Sequence, residues 1–195
     1  HECLRPLGLT PDQIKLVQND TALCPASGPA AGSRSNYMNG NATIDAANKL
    51  MAAMKKEDGS FRTYDEMVAE GIPTKYIGIA DTSGLTEDLN WNNGQGKHTA
   101  EFTYGVFMSE VEVDVATGKT KVVGMTAIGD IGVVSSRQAA DGQAYGGLAQ
   151  GIGLALSENY DDVQKHTSIV ACGLPFIEDV PDNLDIDYVE SYRPT

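Results

Sequence analysis

The most informative segment of this 195-residue chain is Cys24-Pro-Ala-Ser-Gly-Pro-Ala-Ala-Gly-Ser-Arg-Ser-Asn-Tyr-Met-Asn-Gly-Asn-Ala42. A run of small residues leads there into Ser33-Arg-Ser-Asn36, which stands at the start of a helical pattern. A helix start has free backbone N–H groups and the positive end of the helix dipole, so this order predicts a site for an anion. Gly28 and Gly32 would let the main chain approach that ligand closely. An ordinary loop with a serine N-cap is the alternative interpretation.

Two long helices are predicted on either side of the middle of the chain. Apolar residues recur at three- and four-residue steps over 35–56, and Gly59 ends that pattern. The second helix is predicted over 136–158, with Ser135 or Ser136 as its N-cap. Its five glycines predict close approach of another backbone or of a ligand, because glycine weakens a free helix. Tight helix packing alone is the alternative explanation.

Strands are predicted over 14–18 and 75–80, and a hairpin is predicted from 102–115 and 121–128. In the first hairpin strand valines alternate with acidic residues, which predicts one buried face and one face in water. The polar, glycine-rich stretch 81–97 is typical of a long loop. These elements together predict an α+β fold, with β-hairpin sheets and two long packed helices.

Composition excludes several classes of function. The net charge is −13, which repels nucleic acid and anionic membranes, so we expect neither as a partner. No apolar run approaches the roughly 18–20 residues that cross a bilayer. Cys3, Cys24 and Cys172 are odd in number and far apart, which fits neither a disulfide framework nor a zinc or iron–sulfur pattern. We therefore expect reduced thiols and a cytoplasmic protein. The absence of an initiator methionine fits an internal segment or a processed product.

Three segments of the chain resemble parts of a known family. They are Ser27-Gly-Pro-Ala-Ala-Gly-Ser-Arg-Ser-Asn36 with Gly40-Asn-Ala42; Asp130-Ile-Gly132 with Ala140-Asp-Gly-Gln-Ala-Tyr-Gly-Gly-Leu-Ala-Gln-Gly-Ile-Gly153; and Val111-Glu-Val-Asp-Val-Ala-Thr-Gly-Lys-Thr-Lys-Val-Val123. The first is similar to the pterin-binding loop of the molybdenum hydroxylases, the family of xanthine oxidase and aldehyde oxidoreductase. The second is similar to the strand end and glycine-rich helix of that family, and the third to its hairpin. Bacterial aldehyde oxidoreductases are the members that the chain resembles most.

The resemblance implies a site and its cofactor. It implies that residues 1–195 form the C-terminal half of a molybdopterin-binding domain, which stops short of the segment with the catalytic glutamate. That glutamate is expected beyond Thr195; Glu190 does not match it, so no catalytic residue and no metal ligand is assigned in this chain. The cofactor is expected to be a molybdopterin cytosine dinucleotide with molybdenum. The residues implied to contact it are Gly32, Ser33, Arg34, Ser35, Asn36 and Gln143.

The resemblance also implies a function and partners. The family oxidises small aldehydes to carboxylic acids by oxidative hydroxylation, and electrons leave through [2Fe-2S] clusters. We expect those clusters, and the other half of the molybdenum domain, on the same chain or on another subunit of an oligomer. The isolated chain is then expected to be inactive. Two alternatives remain: a cofactor-free binding or structural module, and nucleotide binding by the glycines of 147–153. The second is disfavoured because those glycines lie inside a helical pattern.

Overall fold

The computed structural model describes residues 2–192, which form an α+β fold and divide into two compact units. One unit extends to His98 and the other begins at Thr99. Besides the α-helices and strands, short 3-10 segments occur at Glu2–Leu7, Pro11–Gln13 and Ile177–Asp179. The predicted α+β class is confirmed. No helix in 2–192 is both long and apolar enough to cross a membrane.

The first unit contains helix α1, Ser35–Met54, and helix α2, Tyr64–Ala69. α2 begins with a capping box: the Thr63 hydroxyl accepts from the Glu66 N–H at 3.2 Å, and the Glu66 carboxylate accepts from the Thr63 N–H at 2.7 Å. Met67 is the most deeply buried large side chain, at 2% exposure. Helix α1 therefore lies where the sequence predicts it, within 35–56.

The stretch 75–80 is not the strand that its sequence predicts. It crosses α1 closely at Gly78, where a Cβ atom would collide with the carbonyl oxygen of Ala42 and lie 2.8 Å from the amide nitrogen of Ala46. Only glycine permits this approach of two backbones. The stretch 14–18 also lacks strand structure, so that prediction is wrong as well.

Side chains of α1 bind the backbone of the crossing segment. The Ile79 N–H donates to the Asp45 carboxylate at 2.8 Å, and Lys49 Nζ donates to the Ile77 carbonyl at 3.1 Å. Asp45 and Lys49 also form an i,i+4 ion pair at 2.7 Å. The strand prediction fails here because helix side chains, and not a neighbouring strand, bind these backbone groups.

The second unit contains a three-stranded sheet made of β1, Tyr104–Val113, β2, Thr120–Asp130, and β3, Leu184–Tyr188. β1 and β2 form the predicted antiparallel hairpin, with a register shift between Glu110 and Val111. β3 lies parallel to β2 on its other side. The parallel pair places the C-terminal part of the chain next to the hairpin.

The prediction that β1 buries one face is wrong. Every residue of β1 is exposed, including Val106 and Phe107 at 70% each. The alternating valines encode a strand with two distinct faces, but they do not supply the layer that covers one of them. Helix α3, Arg137–Leu156, packs instead against β2 and β3.

The core of the second unit joins α3 to the sheet. Leu148 of α3, Ala127 of β2 and Ile186 of β3 are all buried and in contact. Ser136 is the N-cap of α3, since its hydroxyl accepts from the Ala139 N–H at 3.3 Å. The helix lies within the range 136–158 predicted from the sequence, and Leu148 is the side chain that joins it to the sheet.

The glycines of α3 behave differently from one another. A Cβ on Gly153 would collide with the Glu158 side chain and lie 2.6 Å from the Pro175 side chain, so a close approach occurs there, but to side chains and not to the backbone or ligand that the sequence predicts. The others would meet no atom within 4 Å among the described residues; they are Gly142, Gly146, Gly147 and Gly151. At those four positions, close approach of a ligand or another backbone stays a prediction.

Candidate functional site

The loop before α1 turns sharply into the helix. Gly28 and Gly32 have φ values of +70° and +62°, and Ser33, although not a glycine, has φ of +56°. Two successive left-handed residues, Gly32 and Ser33, thus lie directly before the first helical turn. This conformation is rare for a side-chain-bearing residue and is found where surrounding structure or function requires it.

The start of α1 offers unsatisfied hydrogen-bond donors. Arg34 occupies the N-cap position, and its side chain makes no capping hydrogen bond. The N–H groups of Ser35, Asn36 and Tyr37 have no acceptor among the described residues, and the first bonded amide is that of Met38. The predicted helix N-terminus is confirmed, and the alternative of a serine N-cap is not.

The charge nearest to this helix start along the sequence is positive, although the chain as a whole is strongly acidic. Arg34 is the only charged residue between Asp20 and Asp45, and the first turn of α1 has no acidic side chain. Arg34 has no ion-pair partner among the described residues, and a Cβ on Gly28 would lie 3.3 Å from its Nη1 atom. The guanidinium therefore lies close to Gly28 of the loop.

Two concave surfaces meet at the helix start. The smaller is lined by Ser27, Gly28, Pro29, Ala30, Arg34, Ser35, Met38 and Asn39. The larger, an open groove of about 590 Å³, is lined by Cys3, Ser35, Asn36, Asn39, Gly40, Thr43 and Ile44. Ser35 and Asn39 line both surfaces. Asn39 and Thr43 are not among the residues predicted to contact the cofactor, although helical i,i+4 spacing from Ser35 and Asn39 places them on the same face of α1.

Gln143 belongs to the second unit, in the second turn of α3, whereas the other five predicted residues belong to the first unit, at the start of α1. Its side chain is exposed and makes no hydrogen bond among the described residues. Gly142 and Gly146, next to it, have open space where a side chain would stand. The amide is therefore free to donate to a ligand on this side of α3.

The first turn of α3 is tied to β3 by Arg137. Its guanidinium donates to the Asp141 carboxylate at 2.9 Å, to the Asp187 carboxylate at 3.2 Å and to the Ile186 carbonyl at 2.6 Å. Its central carbon lies 4.8 Å from the centre of the Tyr188 ring. The Tyr188 N–H, and after it Arg137, hold the pKa of Asp187 below its ordinary value. No feature of the sequence signals this cluster, because its members lie about 50 residues apart.

The phenol of this cluster, on the partly buried Tyr188, has a raised pKa. Burial of Tyr188, and then the nearby Asp141 carboxylate, are the main causes of that increase. The hydroxyl makes no hydrogen bond of usual distance and angle with the described residues. Tyr188 therefore stays neutral and serves as an apolar surface below the guanidinium.

The Asp130-Ile-Gly132 turn holds the segment that follows β3. The Ser191 hydroxyl donates to the Asp130 carboxylate at 2.7 Å, and that carboxylate also accepts from the Gly132 N–H at 3.1 Å. Glu190 accepts from the Val134 N–H at 2.9 Å. The Glu190 carboxylate thus binds backbone, in a structural contact.

The donor set fits an anionic cofactor better than a directly bound metal ion. Among the described residues no group of three or more His, Cys, Asp and Glu side chains is placed to hold a metal. The Cys24 thiol, close to the loop in sequence, donates to the Val17 carbonyl at 3.6 Å. Free N–H groups, hydroxyls and one arginine are instead the groups that bind phosphate.

Comparison with known proteins identifies the family of this arrangement. Residues 3–181 match the model of the molybdopterin cofactor-binding domain. The chain is 50% identical to an aldehyde oxidoreductase of Megalodesulfovibrio gigas over 194 residues, which is 100% of this chain and 21% of that protein. It is 29% identical to xanthine dehydrogenase 1 of Arabidopsis thaliana, over 91% of this chain and 14% of that protein.

The fold also matches solved structures. The aldehyde oxidoreductase from Desulfovibrio desulfuricans superimposes with a TM-score of 0.91 and 48% identity, over 98% of this chain and 21% of that one. The chain therefore spans about a fifth of the length of its aldehyde oxidoreductase relatives.

Proposed function

The chain belongs to the molybdopterin cofactor-binding domain family of the molybdenum hydroxylases, and we propose that it forms one wall of the site for a molybdopterin cytosine dinucleotide. One observation supports this most: the N–H groups of Ser35, Asn36 and Tyr37 lack partners at a helix start whose only nearby charge in sequence is Arg34. A buried diphosphate needs several such donors, and a helix N-terminus supplies them without a conformational change.

Each residue of the loop has a proposed part in binding. The hydroxyls of Ser33 and Ser35 and the amide of Asn36 would donate to phosphate and pterin, and Arg34 would add a charge-assisted contact. Gly32 would keep the entrance free of a side chain and leave room for substrate. The left-handed backbone at residues 32 and 33 leads the chain into the first turn of α1, where the free N–H groups lie.

Gln143 is proposed to donate its side-chain amide to a ligand of the metal. An amide is neutral, so it can orient such a ligand without opposing a change in the charge of the centre. When bound, the molybdenum cofactor would supply the two-electron oxidation in which an aldehyde and water give a carboxylic acid and two protons. The chain's own residues bind the cofactor, orient it and shape one side of its surroundings.

The proposed activity is that of the whole protein and needs its other parts. We propose that the other half of the molybdenum domain and the [2Fe-2S] clusters lie in the rest of the same chain or in another subunit of an oligomer. The general base is proposed to lie in the segment after Thr195. The substrate class proposed is a small aldehyde, and the compartment proposed is the cytoplasm.

Replacing both hydroxyls of the loop tests the cofactor assignment. In the full-length protein, the Ser33→Leu/Ser35→Leu variant should lose most of its molybdenum, measured per protein by elemental analysis. Each lost hydrogen bond to a charged group contributes about 1.5–3 kcal/mol, which is about ten- to hundredfold in affinity. Full molybdenum occupancy in this variant would contradict the proposal.

A matched variant separates binding from folding. Ser33→Asn/Ser35→Thr keeps polar groups at both positions, and asparagine tolerates the left-handed backbone at residue 33. This variant should keep most of its molybdenum. If both variants lose metal equally and both also unfold at lower temperature, the loop serves stability and not cofactor binding.

A further inference from the structure

A polar cluster centred on Arg137 joins the first turn of α3 to the distant strand β3. One guanidinium binds the Asp141 carboxylate, the Asp187 carboxylate and the Ile186 carbonyl, and it lies over the Tyr188 ring. The shortest of these contacts, at 2.6 Å, is to the backbone of the strand itself. Arg137 is thus fixed to the core sheet by several contacts at once.

Besides Arg137, the N-terminal half of α3 is held by Ala144, which is partly buried and packs against the core of the unit. Residues 137–147 include Gly142, Gly146 and Gly147, which weaken a helix and have no packing partner among the described residues. The capping hydrogen bond at Ser136, 3.3 Å long, is at the weak end of the range. The first fully buried side chain of the helix is Leu148. Order in this half of α3 therefore depends on Arg137 together with the packing of Ala144.

Gln143 lies between these two points of attachment. It is about 9 Å along the helix axis from Arg137 and about 7.5 Å from Leu148, at about 1.5 Å per residue. At about 100° per residue, its direction is rotated by about 120° about the helix axis from the row formed by Arg137, Ala144 and Leu148. A change in the tilt or rotation of the first turns would therefore redirect its amide directly.

We propose that Arg137 is a positioning residue, which sets the direction of the Gln143 amide by tying the first turn of α3 to β3. This inference rests on the proposed contact of Gln143 with the cofactor. A planar guanidinium can bind two carboxylates and a carbonyl together, whereas a lysine ammonium at the same place reaches fewer of them in fixed geometry. Both the length of the arginine side chain and its planar shape are therefore needed to bind these three groups together.

The test uses the full-length holoenzyme with Arg137→Ala, Arg137→Lys and Gln143→Ala, and with Gln138→Ala as the matched control from the same turn. Amide hydrogen exchange reports the order of 138–147, and the electron paramagnetic resonance spectrum reports the surroundings of the molybdenum. Arg137→Ala should accelerate exchange in 138–147 about tenfold, because hydrogen bonds to charged groups are lost, and leave 148–156 unchanged. It should also alter the spectrum in the same sense as Gln143→Ala.

The conservative and control variants sharpen the expected result. Arg137→Lys should give an exchange rate and a spectrum between those of the wild type and those of Arg137→Ala. Gln138→Ala should change neither. If Arg137→Ala leaves exchange unchanged, or leaves the spectrum unchanged while Gln143→Ala alters it, the positioning role is wrong and the cofactor contact of Gln143 stands. If Gln143→Ala does not alter the spectrum, that contact is refuted, and the inference falls with it. The cofactor loop is tested separately by the paired serine variants.

Discussion

The crossing of the 75–80 segment over α1 makes Gly78→Ala the most informative single substitution in the first unit. A methyl group at this position would collide with the Ala42 carbonyl oxygen and lie 2.8 Å from the Ala46 nitrogen. Both atoms belong to the backbone of a helix, so neither can rotate away. The segment must move off the helix, and that movement separates Ile79 from Asp45.

The size of the effect follows from the cost of inserting a methylene-sized group into a packed contact. That cost is about 1–3 kcal/mol when surrounding atoms must shift. We expect a decrease of about 2 kcal/mol in the free energy of local opening, which corresponds to about thirtyfold faster exchange of the protected amides. The Ile79 N–H, bonded to a helix side chain at 2.8 Å, is the most direct reporter.

Hydrogen exchange with mass spectrometry of the full-length protein measures this change in peptides that cover 75–80. Gly84→Ala is the matched control, because a Cβ there meets nothing within 4 Å and its φ is not in the left-handed range. It should change the free energy of opening by less than about 0.5 kcal/mol. Unchanged exchange of Ile79 in the Gly78→Ala protein would refute the account of the crossing.

Two further predictions concern helix α2. Met67→Ala should lower the free energy of local opening of α2 by about 2–5 kcal/mol, because Met67 is only 2% exposed. The control, Val68→Ala, alters a side chain that is 55% exposed and should change this free energy by less than about 0.5 kcal/mol. Equal effects of the two substitutions in hydrogen exchange would contradict this. The hydrogen bond from Lys56, and then that from the Thr63 N–H, hold the pKa of Glu66 below its ordinary value of 4.5. Because this pKa is lower in the folded state, the ionised Glu66 carboxylate stabilises the fold above a pH of about 4.5. That stabilisation is lost as the pH falls through the folded-state pKa. Exchange protection of α2 should therefore decrease below about pH 4.5, and Glu66→Gln should abolish that dependence.

The local parts of this structure could be predicted from the sequence, since their signals lie within a few residues. The helix start at Ser35 follows from small residues, hydroxyls and a periodic run, and the capping box places Thr63 before α2. Ser136 is likewise one of the two predicted N-caps. In each case hydrogen bonds between near neighbours determine the element.

The errors arise where distant residues determine the structure. Ile77 and Ile79 alternate as in a strand, but their backbone groups bind Asp45 and Lys49 of a helix about 30 residues earlier. The pattern of β1 predicts a buried face, yet burial depends on a covering layer that a strand's own sequence does not encode. The Arg137 cluster is invisible for the same reason, because its partners on β3 follow about 50 residues later.

The exposed strand β1 has a consequence for handling this polypeptide by itself. Among the described residues it pairs only with β2, so one row of backbone donors and acceptors along 105–113 stays open. Val106, Phe107 and Met108 are each at least 66% exposed beside that open edge, a combination that promotes strand-to-strand aggregation. Glu110 and Glu112 on the same strand, with the net charge of −13, would oppose association by repulsion. The solubility of the polypeptide should then decrease when salt is added and when the carboxylates take up protons. We therefore expect the least aggregation in a dilute, low-salt solution at neutral pH.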